Sequence, residues 1–201
     1  MLDFTYEDRA EASGYALICG VDEAGRGPLM GPVCAAAVIL PRHLEIEGLN
    51  DSKKLTEKKR EALFPIITSS AIAYSVAFAS AEEIDGYNIL NATMLAMNRA
   101  IAGLSPAAQY ALIDGNCKRS IEIPAETIVG GDAKCPSVAA ASVLAKVSRD
   151  RLCYELDRQY PQYGFAKHKG YGTKEHMEAI RKYGPCPCHR RTFLKFFYDD
   201  K

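Results

Sequence analysis

Residues 16–40 read ALICGVDEAGRGPLMGPVCAAAVIL. Apolar runs at both ends have the length and composition of buried strands, ALICGVDEA and then PVCAAAVIL ending at Pro41. Between them stand two adjacent acids, Asp22 and Glu23, followed by glycines around an arginine and then Pro28. A polar turn would be the plain explanation. The sharper one is a metal site beside a stretch of backbone left bare for a ligand, because glycine lets another molecule approach the main chain closely.

Two further acids lie in similar places. Asp114 closes the short apolar run YALID before Gly115, and Asp132 closes IEIPAETIVGGD, read as a strand. A single acid after a strand is usually a turn residue. Four at the ends of neighbouring strands must either repel one another or bind cations, and hard oxygen ligands suit Mg²⁺ or Mn²⁺. Adjacent residues of a strand face opposite ways, so Asp22 and Glu23 reach one ion only if the strand ends between them or Glu23 acts from the side. Paired divalent ions are an established way to cleave phosphodiesters.

The rest of the chain supplies a scaffold. LTEKKREALFPII is expected to be a helix capped by Thr56 with Pro65 near its end, AIAYSVAFA a strand, and NILNATMLAMNRAIAGL a helix stopped by Gly103. A long helix opens at Pro136, its alanine-rich first half suited to close packing on a sheet, and TKEHMEAIRKY is a final amphipathic helix. The order β-β-α-β-α-β-β-α-α predicts an α/β fold with one mixed sheet covered by helices.

Composition bounds the class of protein, and the zero net charge taken alone argues against a nucleic-acid binder. The 201 residues are 48% hydrophobic, enough for a core in one domain. No apolar run approaches the roughly 20 residues of a membrane span, and the polar N-terminus is unlike a secretory signal. Seven scattered cysteines suggest reduced thiols and a cytoplasmic location. Lysine, arginine, aspartate and glutamate cancel overall, yet residues 134–195 hold 13 basic and 5 acidic residues while 1–133 hold 11 and 18. That asymmetry suggests a basic face for a polyanion and acids gathered elsewhere. LNDSKKLTEKKR offers Ser52, Lys53 and Lys54 to phosphates, and YGFAKHKGYGT interleaves lysines with aromatics, with Tyr171 between two glycines as the best candidate for sugar or base contact. CPCHRR brings Cys186, Cys188 and His189 together, but no second ligand pair has zinc-finger spacing. Ser142, in AAASVLAK, reads as a helix-packing serine.

Taken in order, GVDEAGRGPLMGPV, LNDSKKLTEKKRE, EIDGYNILNATMLAM, DGN, GGDAKCPSVAAASVLAKVSRDR, YGFAKHKGYGT and HRRTF resemble the motifs of bacterial ribonuclease HII, over about residues 20–193. The resemblance implies a ribonuclease H-like fold: a five-stranded mixed sheet flanked by helices, with a small helical C-terminal portion. On that pattern the chain is a single catalytic domain, residues 1–201, with a core of about 16–160 and a substrate-binding portion of about 161–201. It implies an endonuclease that cuts RNA in RNA–DNA hybrids and cuts 5′ to single ribonucleotides in duplex DNA, leaving a 3′-hydroxyl and a 5′-phosphate. Asp22, Glu23, Asp114 and Asp132 match the family's catalytic, metal-binding acids, with two divalent ions, Mg²⁺ or Mn²⁺, as cofactors. Gly25, Arg26 and Gly27 match its ribonucleotide-sensing loop, Tyr171 its junction-sensing tyrosine, and Ser52 and Lys53 its nucleic-acid contacts. Gly130 stands where the family often has lysine, and Thr192 where it usually has serine. Arg26 and the short N-terminus separate the chain from the sister ribonuclease HIII, which handles single ribonucleotides poorly, and the presence of all four acids separates it from a non-catalytic hybrid-binding protein. A monomer without an obligate protein partner or membrane is expected.

Overall fold

The computed structural model describes residues 2–198. Its strands are β1 (Ile18–Ala24), β2 (Val33–Ile39), β3 (Ala73–Ala79), β4 (Tyr110–Asp114) and β5 (Ala125–Ile128). Its helices are α1 (Thr5–Ala12), α2 (Glu57–Ser70), α3 (Ala81–Ala102), α4 (Pro136–Gln159), α5 (Phe165–His168), α6 (Lys174–Tyr183) and α7 (Lys195–Tyr198). The sheet runs β3-β2-β1-β4-β5. β1, β4 and β5 are parallel to one another, while β2 is antiparallel to both β1 and β3. This is the ribonuclease H-like mixed sheet that the motif order implied. No helix among the described residues is long and apolar enough to cross a membrane.

Small residues set the layer spacing. Every residue of α4 from Pro136 to Ala145 is buried, and the helix lies so close to β1 that a Cβ on Gly20 would sit 2.1 Å from the Ser137 carbonyl carbon. On the other sheet face, Met97, Ala100 and Ile101 of α3 pack with Val21, Ala35, Ala37 and Ile113. Because the atom opposing Gly20 is backbone, it cannot rotate away. Gly20→Ala is expected to cost about 1–3 kcal/mol, seen as a lower urea midpoint at unchanged m-value. An unchanged midpoint would show that α4 can be displaced freely.

Several boundaries differ from the sequence reading. α2 continues past Pro65 to Ser70 with Leu63 and Ile67 buried, so packing holds the helix together across the proline. α3 begins at Ala81 under a reciprocal cap between Ser80 and Glu83. It kinks at Asn88 (φ 67°), whose Oδ1 accepts from the amides of Leu90 and Asn91; the expected start at Asn88 is therefore the cap of the second segment. β5 stops at Ile128, and Asp132 lies beyond a left-handed Gly130 in a single 3₁₀ turn, Gly131–Ala133, not at a strand end. α1 was not anticipated. Its Glu7 crosses to the start of α4 and accepts from the Ser137 amide (3.1 Å) and hydroxyl (2.8 Å), supplying the cap that Cys135 does not.

Candidate active site

Parallel strands end on the same side of a sheet, and here that geometry gathers the acids. Val21 is in register with Ile113, so Asp22 and Asp114 leave neighbouring strands side by side. The 3₁₀ turn after β5 brings in Asp132, and the Gly131 amide donates to Asp114 Oδ1 at 2.7 Å, tying that turn to the end of β4. One carboxylate oxygen each from Asp22, Asp114 and Asp132 lies within 4.8 Å of the others. Glu23 stands beside this trio. β1 runs through it to Ala24, so it alternates with Asp22, and its Oε1 accepts from Arg26 Nη1 at 3.3 Å.

The electrostatics are those of anions held together against their own repulsion. Burial, then the charges of Glu23 and Asp114, push the Asp22 carboxyl well above the usual range. Glu23 is raised by burial, with Arg26 opposing, and Asp132 by burial, with Lys53 opposing. Asp22 and Asp132 are only 3% and 4% exposed. Carboxylates so placed favour a neutralising charge, and Lys53 Nζ already lies 3.1 Å from Asp132 Oδ2. An all-oxygen donor set of this kind fits a hard divalent cation.

The remaining expected residues border the same cleft, a cavity of about 220 Å³ whose walls include Asp22, Gly25, Gly27, Lys53, Asp114 and Tyr171. Tyr171 is half exposed, and a Cβ on Gly27 would stand 3.5 Å from its Cε1. The two loops are also joined by a Leu29 amide donating to the Gly170 carbonyl at 2.8 Å. Ser52 is buried, its hydroxyl 2.6 Å from that of Ser142, a residue which also hydrogen-bonds the Asp22 carboxyl. Ser142 is thus more than a packing residue. Gly130 faces open space, and Thr192 keeps the hydroxyl a serine would offer, donating to Asp85 Oδ1 at 2.6 Å.

Two arginines that the sequence reading passed over hold the glycine loop. Arg190 is fully buried, and its guanidinium donates to the carbonyls of Gly25 (2.6 Å), Arg26 (2.9 Å), Pro28 (2.8 Å) and Gly31 (2.8 Å). Arg149 donates to Met30 and Lys169, and its Nε occupies the space where a Cβ on Gly25 would fall, at 1.9 Å. Gly25 also has φ +96°, so it is glycine for two reasons. Arg26 itself is half exposed and turned to Glu23; it does not hold the loop. Arg60 does the same work for the SKK turn, donating to the carbonyls of Ser52 (2.9 Å) and Leu55 (2.6 Å). No motif announces a carbonyl cradle, because its acceptors are main-chain groups that every residue carries.

The chain is similar to known proteins over most of its length. The family model described as Ribonuclease HII matches residues 19–196. A Ribonuclease HII of Acetivibrio thermocellus is 56% identical over 192 residues, 96% of this chain and 75% of that protein. Among solved structures, the ribonuclease H2 of Pyrococcus horikoshii superposes with a TM-score of 0.75 at 28% identity, covering 92% of this chain and 98% of that one. The RNase HII of Archaeoglobus fulgidus, solved in complex with PCNA, gives 0.72 at 25% identity, covering 88% and 94%.

Proposed function

The chain belongs to the ribonuclease HII family, and from that premise we propose that Asp22, Glu23, Asp114 and Asp132 form its active site and that the adjoining loops restrict cutting to the 5′ side of a ribonucleotide. The enzyme is an endonuclease acting on RNA–DNA hybrids. The proposal extends this to single ribonucleotides within duplex DNA, with 3′-hydroxyl and 5′-phosphate products. What supports it is one cleft in which Asp22, Glu23 and Asp114, the bare backbone of Gly25 and Gly27 and the ring of Tyr171 share walls, with the Asp132 carboxylate within 4.8 Å of those of Asp22 and Asp114.

The enzyme uses divalent ions. Two of them, Mg²⁺ or Mn²⁺, held by the four acids, would supply activation of water and stabilisation of the leaving oxygen. The chain's own groups do the rest. Asp22 and Asp114, fixed by neighbouring strands, keep their spacing without loop motion. Lys53, mostly exposed at its side chain and reaching Asp132, is placed to meet a backbone phosphate at the rim. Ser52 contributes from beneath, through Ser142, to the position of Asp22. Gly25, Arg26 and Gly27 present main-chain groups at the range needed to sense one 2′-hydroxyl, the only chemical mark of RNA at such a site. Tyr171 packs its ring on the next sugar, where a second 2′-hydroxyl would crowd it. In this reading residues 1–201 act as one catalytic domain, with about 161–201 serving substrate binding.

A panel of duplexes carrying one, four or no ribonucleotides tests the assignment. Wild type is expected to cut the first two and spare the third. Tyr171→Ala is expected to lose most of the preference for a single ribonucleotide while still cutting the four-ribonucleotide duplex. Cleavage of the all-DNA duplex, or an unchanged preference in the variant, would overturn the roles given to the loop and the tyrosine.

A further inference from the structure

Away from the acid cleft, a second set of metal-ligating side chains converges. Cys186 Sγ lies 3.0 Å from Cys188 Sγ and 3.0 Å from His189 Nδ1, and the three ligand atoms all fall within 4.8 Å of one another. The sequence offers no second zinc-finger pair, but the fold adds a different element. His176, on α6, sets its Nε2 3.1 Å from His189 Nε2 and its Nδ1 2.9 Å from the Tyr171 carbonyl.

That contact chain fixes the tautomers. A carbonyl can only accept, so His176 Nδ1 carries a proton and donates to Tyr171. The Cys186 amide can only donate, so His189 Nδ1 accepts from it and carries no proton, which leaves the His189 proton on Nε2. His189 Nε2 must therefore be the donor. The lone pair of His189 is left on Nδ1, the atom facing Cys186, where the Cys186 amide also donates to it at 3.0 Å. A histidine held by a hydrogen bond on one nitrogen with the other aimed at two thiols is the arrangement that orients a metal-bound imidazole.

We propose that Cys186, Cys188 and His189 bind a single thiophilic ion of the Zn²⁺ class, separate from the ions of the acid cleft. Sulfur and imidazole donors select such an ion over Mg²⁺. Tetrahedral zinc with ordinary bond lengths needs sulfur–sulfur and sulfur–nitrogen separations of about 3.5–3.8 Å. Each contact thus has to open by less than about 1 Å, within the reach of small side-chain rotations. Cys186 and His189 also line an open cavity of about 570 Å³, which gives the ion an entry path and leaves room for water as a fourth ligand.

The location gives the ion a consequence. Cys188 accepts from the Gly31 amide at 2.8 Å, His189 bridges to Met30, and the next residue is Arg190, the clamp on the glycine loop. Through His176 the same cluster reaches the Tyr171 carbonyl. A metal there would brace both loops from behind.

Co²⁺ titration of the reduced, full-length protein tests this without reference to cleavage. One equivalent is expected to produce thiolate-to-cobalt charge-transfer absorption with tetrahedral d–d bands, displaced by one equivalent of Zn²⁺. Cys186→Ser and Cys188→Ser, at half-buried positions, should abolish the charge-transfer band while circular dichroism stays native. His176→Gln should weaken binding roughly 10- to 100-fold. Asp114→Asn should leave the band intact, which separates this site from the acid cleft. Absence of the band in wild type, or an equal band in both cysteine variants, would overturn the proposal. So would thiol counting that finds a Cys186–Cys188 disulfide and no Co²⁺ binding after its reduction.

Discussion

Asp22→Asn is expected to lower cleavage of a ribonucleotide-containing duplex by at least about 10³-fold while duplex binding survives. Substrate affinity comes mostly from phosphate contacts made by basic residues, whereas Asp22 lies at the bottom of the cleft beside Asp114. The same substitution should stabilise the metal-free protein. Burial and the neighbouring acids raise the Asp22 carboxyl in the folded state, so the native protein favours the protonated form. That contribution is fully present below the unfolded carboxylate value of about 3.9 and is lost as pH rises through the folded one. Asparagine never ionises. Without divalent ions, the variant's melting temperature should therefore exceed that of wild type by a margin that grows from pH 4 toward neutrality. Mg²⁺ should raise the wild-type melting temperature more than the variant's. Equal turnover in the two proteins at saturating Mg²⁺ would remove Asp22 from the active site.

Arg190→Met is expected to cost about 3–5 kcal/mol, because it removes a buried charge and strands four carbonyl oxygens in the interior. Arg190→Lys should recover little of this. An ammonium has three donors on a point charge and cannot reproduce a planar fork serving four acceptors. Burial, then the nearby Arg149 charge, push the guanidinium down to about 9, so it remains charged at neutral pH. In Arg190→Lys that still folds, the acid trio is untouched while the Gly25–Gly31 loop loosens. Mg²⁺-induced thermal stabilisation should persist while discrimination between RNA and DNA falls. Loss of the Mg²⁺ response together with discrimination would mean that Arg190 supports the whole fold and not the loop in particular.

Much of this site was legible because strand ends are legible. Asp22 and Asp114 each close an apolar run, and parallel strands then place them together. Asp132 was found for a partly mistaken reason: the strand stops at Ile128, and a left-handed glycine with a 3₁₀ turn carries the acid the remaining distance. The Ser80–Glu83 cap of α3 was missed because Asn88, a genuine cap eight residues on, offered a competing start. Arg190, Arg149 and Arg60 could not be read from the chain. Their partners are backbone carbonyls, which every residue possesses, so no spacing marks them. The His176–His189 contact joins two segments whose approach depends on α6 folding back over Tyr163 and Phe165, and sequence separation hides it in the same way.

On the proposed reading, the carboxylates and the glycine loop, a few residues apart on one segment, fix the cut at a set distance from the ribose being read. Mapping the products of a duplex with one ribonucleotide, at nucleotide resolution and with end-group analysis, tests it directly. The expected product is a single nick immediately 5′ to the ribonucleotide, with a 3′-hydroxyl and a 5′-phosphate. Cuts scattered over several positions, or a nick on the 3′ side, would contradict it.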